Sequence, residues 1–154
     1  MSVTIWKECK SRNLLNEIRI CLPSASINES VARSAVAAFC AQADPNGMEI
    51  ADIKCAVSEA VTNSIVHGYK DRIGPIYIQV KLYEGRILYI QIKDRGCGIE
   101  DVRKAREPLY TTDAANERSG MGFTVMESFC DEVYVRSKTG SGTTVTLLKK
   151  LEGR

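Results

Sequence analysis

From residue 14 onward the apolar positions change period several times, and each change marks an element. Ile18, Ile20 and Leu22 alternate with Arg19 and Cys21 until Pro23, which predicts a short strand that the proline ends. Val31, Ala35 and Phe39 then recur every four residues behind Ser26 and Asn28, either of which can cap a helix that has Glu29 in its first turn. Asp44-Pro45-Asn46-Gly47 reads as a turn. A longer helix is predicted from Glu49 to Tyr69, with Ile53, Val57, Val61 and Ile65 as its apolar stripe and Gly68 suited to its end. Glu59, Asn63 and His67 lie two residues off that stripe, about 200° around the helix, and form a polar line directed away from it.

The period then falls to two. Ile76, Ile78, Val80 and Leu82 alternate with polar or aromatic residues, Glu84-Gly85 turns the chain, and Leu88, Ile90 and Ile92 continue on a partner strand, which predicts a hairpin. A short helix follows around Glu100 to Arg106. The segment from Pro108 to Ser119 is polar, irregular and long enough to act as a lid. Met121 to Cys130 predicts a helix with Phe123, Val125, Met126 and Phe129 inward, and Glu132–Arg136 and Thr143–Lys149 pair across the Gly140 turn. Residues 1 to about 14 show no period and are expected to be a loose N-terminal extension (1–15) to a single domain over 16–154. The order of strands and helices predicts an α+β fold, an α/β sandwich with helices on one face of a mixed, mainly antiparallel sheet.

Composition narrows the classes. A chain of 154 residues with 44% hydrophobic residues suffices for one core. The net charge of +2, dispersed among acids, argues against direct nucleic-acid binding and against an anionic membrane as partner. The N-terminus has no basic start followed by an apolar run, and no 18 apolar residues occur in succession, so a cytoplasmic protein is expected. Six dispersed cysteines without a C-x-x-C pair fit neither a zinc site nor a disulfide framework, and most of them read as small buried apolar residues.

The candidate chemistry lies in four polar segments. Asp94 keeps the parity of Leu88, Ile90 and Ile92, which puts a carboxylate on the buried face at a strand end, where it needs donors. In Asp94-Arg95-Gly96-Cys97-Gly98 it either caps the following turn or accepts a hydrogen bond from the amine of adenine, with Gly96 and Gly98 letting the backbone approach the base. Asn63 is an ordinary helical amide unless its neighbours matter. With Glu59 one turn earlier, its oxygen suits Mg²⁺ and the carboxylate suits proton abstraction from an attacking hydroxyl. Gly120-Met121-Gly122 precedes a helix whose N–H groups can hold phosphate oxygens, and Arg118 is placed to meet a γ-phosphate. Neither the P-loop spacing nor a Rossmann glycine pattern occurs.

Taken in order, E-x-x-x-N-x-x-x-H-G from Glu59, D-x-G-x-G from Asp94, P-L-Y-T-T from Pro108, R-S-G-M-G-F from Arg118 and G-S-G-T-T from Gly140 resemble the Bergerat-fold (GHKL) ATPases, and among them the bacterial anti-sigma serine/threonine kinases. The resemblance runs from about Asn16 to Leu151. Its lid sequence is closer to the sporulation type than to the general-stress type. It implies ATP with Mg²⁺, Glu59 as base and Asn63 as metal ligand. It further implies Asp94 and Thr143 at the adenine, and Gly96, Gly98, Thr112, Arg118, Ser119, Gly120, Met121 and Gly122 among the nucleotide-binding positions. It also implies a homodimer that holds a sporulation sigma factor (sigma-F type) in the ATP state and phosphorylates a serine of an anti-anti-sigma factor, with Arg33 on the partner-binding face. Other readings are a general-stress-type kinase and the ATP-binding half of a two-component histidine kinase. The latter needs a phosphoacceptor histidine on a separate helix, and the single histidine, His67, ends the Asn63 helix.

Overall fold

The computed structural model describes residues 3–107 and 122–153. A five-stranded sheet in the order β1-β2-β3-β5-β4 organises the molecule, built from β1 (Leu14–Pro23), β2 (Pro75–Tyr83), β3 (Ile87–Asp94), β4 (Glu132–Lys138) and β5 (Gly142–Lys150). Every described pair is antiparallel, so the mixed sheet that was expected is antiparallel throughout the described strands. Register follows the apolar alternation: Ile78 faces Ile92, Val80 faces Ile90, and Ile90 and Ile92 in turn face Leu147 and Val145. A slip of one residue would turn this whole set to the other side of the sheet.

Over that apolar face lie α2 (Asn28–Cys40), α3 (Gly47–Asn63) and α5 (Gly122–Phe129), while α4 (Val102–Ala105) is a single turn beside them. The stripe Ile53, Val57 and Val61 of α3 is buried as its spacing predicts. On α2 the buried set is Ala32, Val36, Ala37 and Cys40, one residue out of step with the predicted stripe, and Val31 is 49% exposed. Alanine and cysteine carry too little hydrophobicity to announce that face, so the larger Val31 drew the prediction to the wrong side. Neither proposed cap acts: the N-cap position of α2 is Ile27, whose side chain has no group to cap with, and Asn28 Nδ2 donates instead to the Pro23 carbonyl.

The start of α3 is held by a reciprocal capping box, in which Glu49 N–H donates to Asn46 Oδ1 (2.8 Å) and Asn46 N–H to Glu49 Oε1 (3.0 Å). The same Glu49 accepts from Glu152 N–H and Gly153 N–H, pinning the chain after β5 to the base of α3. At its far end α3 widens into a π-helical segment, Ser64–Tyr69.

The stretch without a period is a helix, α1 (Ile5–Ser11), on the opposite face of the sheet. Cys9 packs with Ile87 and Leu148, and the Trp6 ring sits 5.8 Å from Tyr89 and 5.1 Å from Tyr134. Glu132 at the start of β4 accepts from Ile5 N–H (2.7 Å) and Trp6 N–H (3.1 Å), which places a carboxylate on the positive end of this helix. Helices therefore occupy both faces. Two turns with one inward line are too short to register as a period. The cysteines also differ from expectation: Cys9 and Cys40 are buried, whereas Cys21 and Cys55 are exposed. Burial pushes the Cys40 thiol up to about 12.

Candidate nucleotide site

Asp94 ends β3 on the face of Leu88, Ile90 and Ile92 and is 3% exposed. A carboxylate at that depth costs several kcal/mol unless donors replace water. Three do. Gly96 N–H (2.9 Å) and Thr143 N–H (3.2 Å) donate to Oδ1, and the Ser64 hydroxyl donates to Oδ2 (2.8 Å). The turn-capping role of Asp94 is thus realised through Oδ1, and it leaves Oδ2 directed at α3 and the adjoining cavity.

Close backbone approach explains the glycines around it. A Cβ on Gly96 would stand 2.2 Å from the Gly68 carbonyl oxygen, which already accepts from Cys97 N–H at 2.8 Å. Gly98 has φ +77° and would meet the Lys138 oxygen at 2.2 Å. Both residues thus allow chain to pack on chain; Gly98 also lines the cavity. Gly68 is not a helix terminator. A Cβ there would lie 3.0 Å from Asp94 Oδ2, so the residue keeps the carboxylate uncovered.

The cavity has a volume of about 750 Å³, within the ordinary range for small-molecule sites. It is lined by Asn63, Ser64, His67 and Gly68 at and after the end of α3, by Asp94, Thr143 and Val145 of the sheet, and by Asp101, Lys104 and Phe123 from α4 and α5 and their approach. Asn63 faces the first residue of α5: a Cβ on Gly122 would lie 3.1 Å from Asn63 Nδ2 and 3.4 Å from Glu59 Oε2. Glu59 and Asn63 are both half-buried and both approach Gly122, and Asn63 and Gly122 line the cavity together with Asp94 and Thr143. The Thr143 hydroxyl lies 2.7 Å from Ser137 Oγ, which also accepts from Ile99 N–H. Thr112, Arg118, Ser119, Gly120 and Met121 lie outside the described residues.

Arg33 is elsewhere, on α2, with its side chain 38% exposed and its guanidinium 3.4 Å from Glu29. Glu29 also takes a hydrogen bond from Ser58 of α3. Sequence reasoning missed Ser64 and Ser137. The signal for Ser64 was its spacing of four and three residues from the buried Ala60 and Val61, which puts a hydroxyl on the inward face of the helix.

These residues suit the group they were expected to hold. A buried acceptor fits a base amine, and an amide oxygen beside a carboxylate fits Mg²⁺ bound mostly by phosphates and water. Among the described residues no group of three His, Cys, Asp or Glu side chains is placed to hold a metal by itself.

Fold and site together define a class, the histidine kinase-like ATPases: a family model described as a histidine kinase-like ATPase domain matches residues 22–149. The chain is 53% identical over 137 residues to the anti-sigma F factor of Anoxybacillus flavithermus, covering 88% of this chain and 93% of that one. It is 54% identical over 138 residues to the anti-sigma F factor of Clostridium novyi, covering 89% and 96%. The chain belongs to the anti-sigma F factor family within the histidine kinase-like ATPases. Among solved structures, the RsbU and RsbW domains from Mycobacterium tuberculosis superpose with a TM-score of 0.64 at 22% identity, over 89% of this chain and 33% of that one. The histidine kinase domain of the Erythrobacter litoralis blue-light activated histidine kinase gives 0.55 at 21%, over 80% and 61%. At such identities these two show the fold alone. No helix among the described residues is long and apolar enough to cross a membrane.

Proposed function

We propose that this protein is a cytoplasmic anti-sigma factor that holds a sporulation sigma factor of the sigma-F type in its ATP state and phosphorylates a serine of its anti-anti-sigma partner. The observation that carries the reading is a buried, donor-fixed carboxylate, Asp94, in the lining of the same cavity as Asn63 and Gly122, with Glu59 beside these two. The names of the relatives supply the partner class.

Asp94 Oδ2 accepts from the exocyclic amine of adenine, while Oδ1 stays with the Gly96 and Thr143 amides. Glu59 takes the proton of the incoming serine hydroxyl as its oxygen bonds to the γ-phosphorus and the bond to the β-phosphate bridging oxygen breaks, so that phosphoserine and ADP result. Asn63 is the side chain that would hold Mg²⁺, which when bound offsets the negative charge of the phosphates. Arg118 and the amides of Gly120 and Gly122 contact the phosphates, and Thr112, Ser119 and Met121 are further nucleotide-binding positions. Arg33 presents its charge to acidic groups on the partners. The working unit is a homodimer of the domain spanning residues 16–154, with residues 1–15 as an extension.

The test is transfer of label from γ-³²P-labelled ATP to a serine of a purified anti-anti-sigma protein, with sigma retention measured in ATP and in ADP. Transfer together with ATP-favoured retention is expected. Absence of transfer, combined with equal retention in both nucleotides, would remove the proposal.

A further inference from the structure

We infer that Ser64 is a positioning residue that sets the base preference of the nucleotide site, an inference that rests on the adenine role given to Asp94. Ser64 is 4% exposed, lines the cavity and opens the π-helical segment of α3, a deviation that recurs at functional sites. Its hydroxyl is 2.8 Å from Asp94 Oδ2. The two carboxylate oxygens are held differently. Oδ1 is fixed by two backbone N–H groups, whereas Oδ2 has Ser64 as its donor among the described residues.

The proton count makes this contact selective. An ionised carboxylate only accepts, and a serine hydroxyl carries one proton. With that proton committed to Asp94, Ser64 Oγ shows the cavity only lone pairs. Asp94 Oδ2 and Ser64 Oγ together therefore form an acceptor-only surface, which suits an amine at purine position 6 and opposes an oxygen there. Alanine at position 64 would leave room for water beside Asp94. Water has two protons, so it can donate to Asp94 with one and to a 6-oxo group with the other. Loss of Ser64 thus weakens ATP binding and, separately, removes the penalty against a 6-oxopurine.

The experiment is calorimetric titration of wild type, Ser64→Ala, Ser64→Thr and Asp94→Asn with ATP and with ITP, which carries oxygen at position 6 and a proton on N1. For Ser64→Ala, ATP affinity should fall roughly 5–10-fold, the range for one buried hydrogen bond, and the preference for ATP over ITP should fall by about tenfold or more. Ser64→Thr, which keeps the hydroxyl, should restore that preference. If Ser64→Ala lowers both affinities by the same factor, or neither, while Asp94→Asn loses ATP binding, Ser64 has no selective role and the inference fails alone. If folded Asp94→Asn binds ATP like wild type, the adenine reading of Asp94 fails and takes this inference with it.

Discussion

Replacing Asp94 by asparagine separates the fold from the site, because the two carboxylate oxygens do different work. The amide oxygen of the substituted side chain can stay with Gly96 N–H and Thr143 N–H, and the Ser64 hydroxyl can rotate to accept from the new NH₂ group. The fold loses only the charged character of three hydrogen bonds, about 1–2 kcal/mol, and removal of a buried charge offsets part of that. At about 2–4 °C per kcal/mol for a chain of this size, the melting temperature should drop by several degrees at most. The nucleotide fares worse. A charge-assisted hydrogen bond to the base amine, about 1.5–3 kcal/mol, is lost, and two donors then face each other in a buried site at about 1–3 kcal/mol for a group left unpaired. A total of about 2.5–6 kcal/mol corresponds to a Kd raised on the order of 10²–10⁴-fold. Isothermal titration calorimetry, with a thermal scan of the nucleotide-free protein, measures both quantities. A Kd within about threefold of wild type in a protein that melts normally would refute the reasoning.

Glu59→Gln should still bind Mg-ATP but transfer phosphate about 10²–10⁴-fold more slowly in the radiolabel assay, whereas Asn63→Ala should lose the Mg²⁺ dependence of nucleotide binding. Arg33→Glu sets two like charges against each other, since Glu29 is the present partner of Arg33 at 3.4 Å. It should keep ATP affinity and lose sigma retention in size-exclusion chromatography at low salt, and retention equal to wild type would place the partner surface elsewhere. Glu49 gives a pH dependence of known sign: burial, the largest influence, favours its neutral form, but the Asn46, Glu152 and Gly153 amides and Lys149 outweigh it and hold the carboxyl below 4.5. That contribution is present above the unfolded value and is lost as pH falls through the lower folded one. The melting-temperature gap between wild type and Glu49→Gln should therefore close on acidification below about pH 4.5, and a constant gap would contradict the assignment.

How far the sequence could be read depended on the size of the side chains involved. The β2–β3 hairpin and the buried stripe of α3 were legible because large β-branched and aliphatic residues mark their periods. The inward face of α2 was misread because Ala32, Ala37 and Cys40 weigh little against Val31. Asp94 could be placed by strand parity alone, and its burial follows. Ser64 follows the buried Ala60 and Val61 by four and three residues, so the helical period turns it inward, but no local pattern shows that the group it meets there is Asp94, 30 residues away. Nor does a local pattern show why Gly68 is glycine, because its neighbour is a carboxylate 26 residues away.

The site is built so that its rigidity and its selectivity reside in different atoms. Gly142, with φ +107°, brings the start of β5 so near β3 that a Cβ would stand 2.1 Å from the Asp94 carbonyl oxygen. Gly96 brings the loop after β3 equally near α3. These are contacts of backbone with backbone, so no rotamer change relieves a substitution there, and the damage must spread through the sheet. Asp94, Ser64 and Asn63 instead act through side-chain ends lining a cavity that is already shaped, and Glu59 through a carboxylate beside Asn63 and Gly122. Changes at these four positions should alter which nucleotide binds and what happens to it, with little effect on the sheet beneath. Gly96, Gly98 and Gly142, despite their place in the binding motifs, are the positions at which loss of nucleotide binding would report loss of the fold.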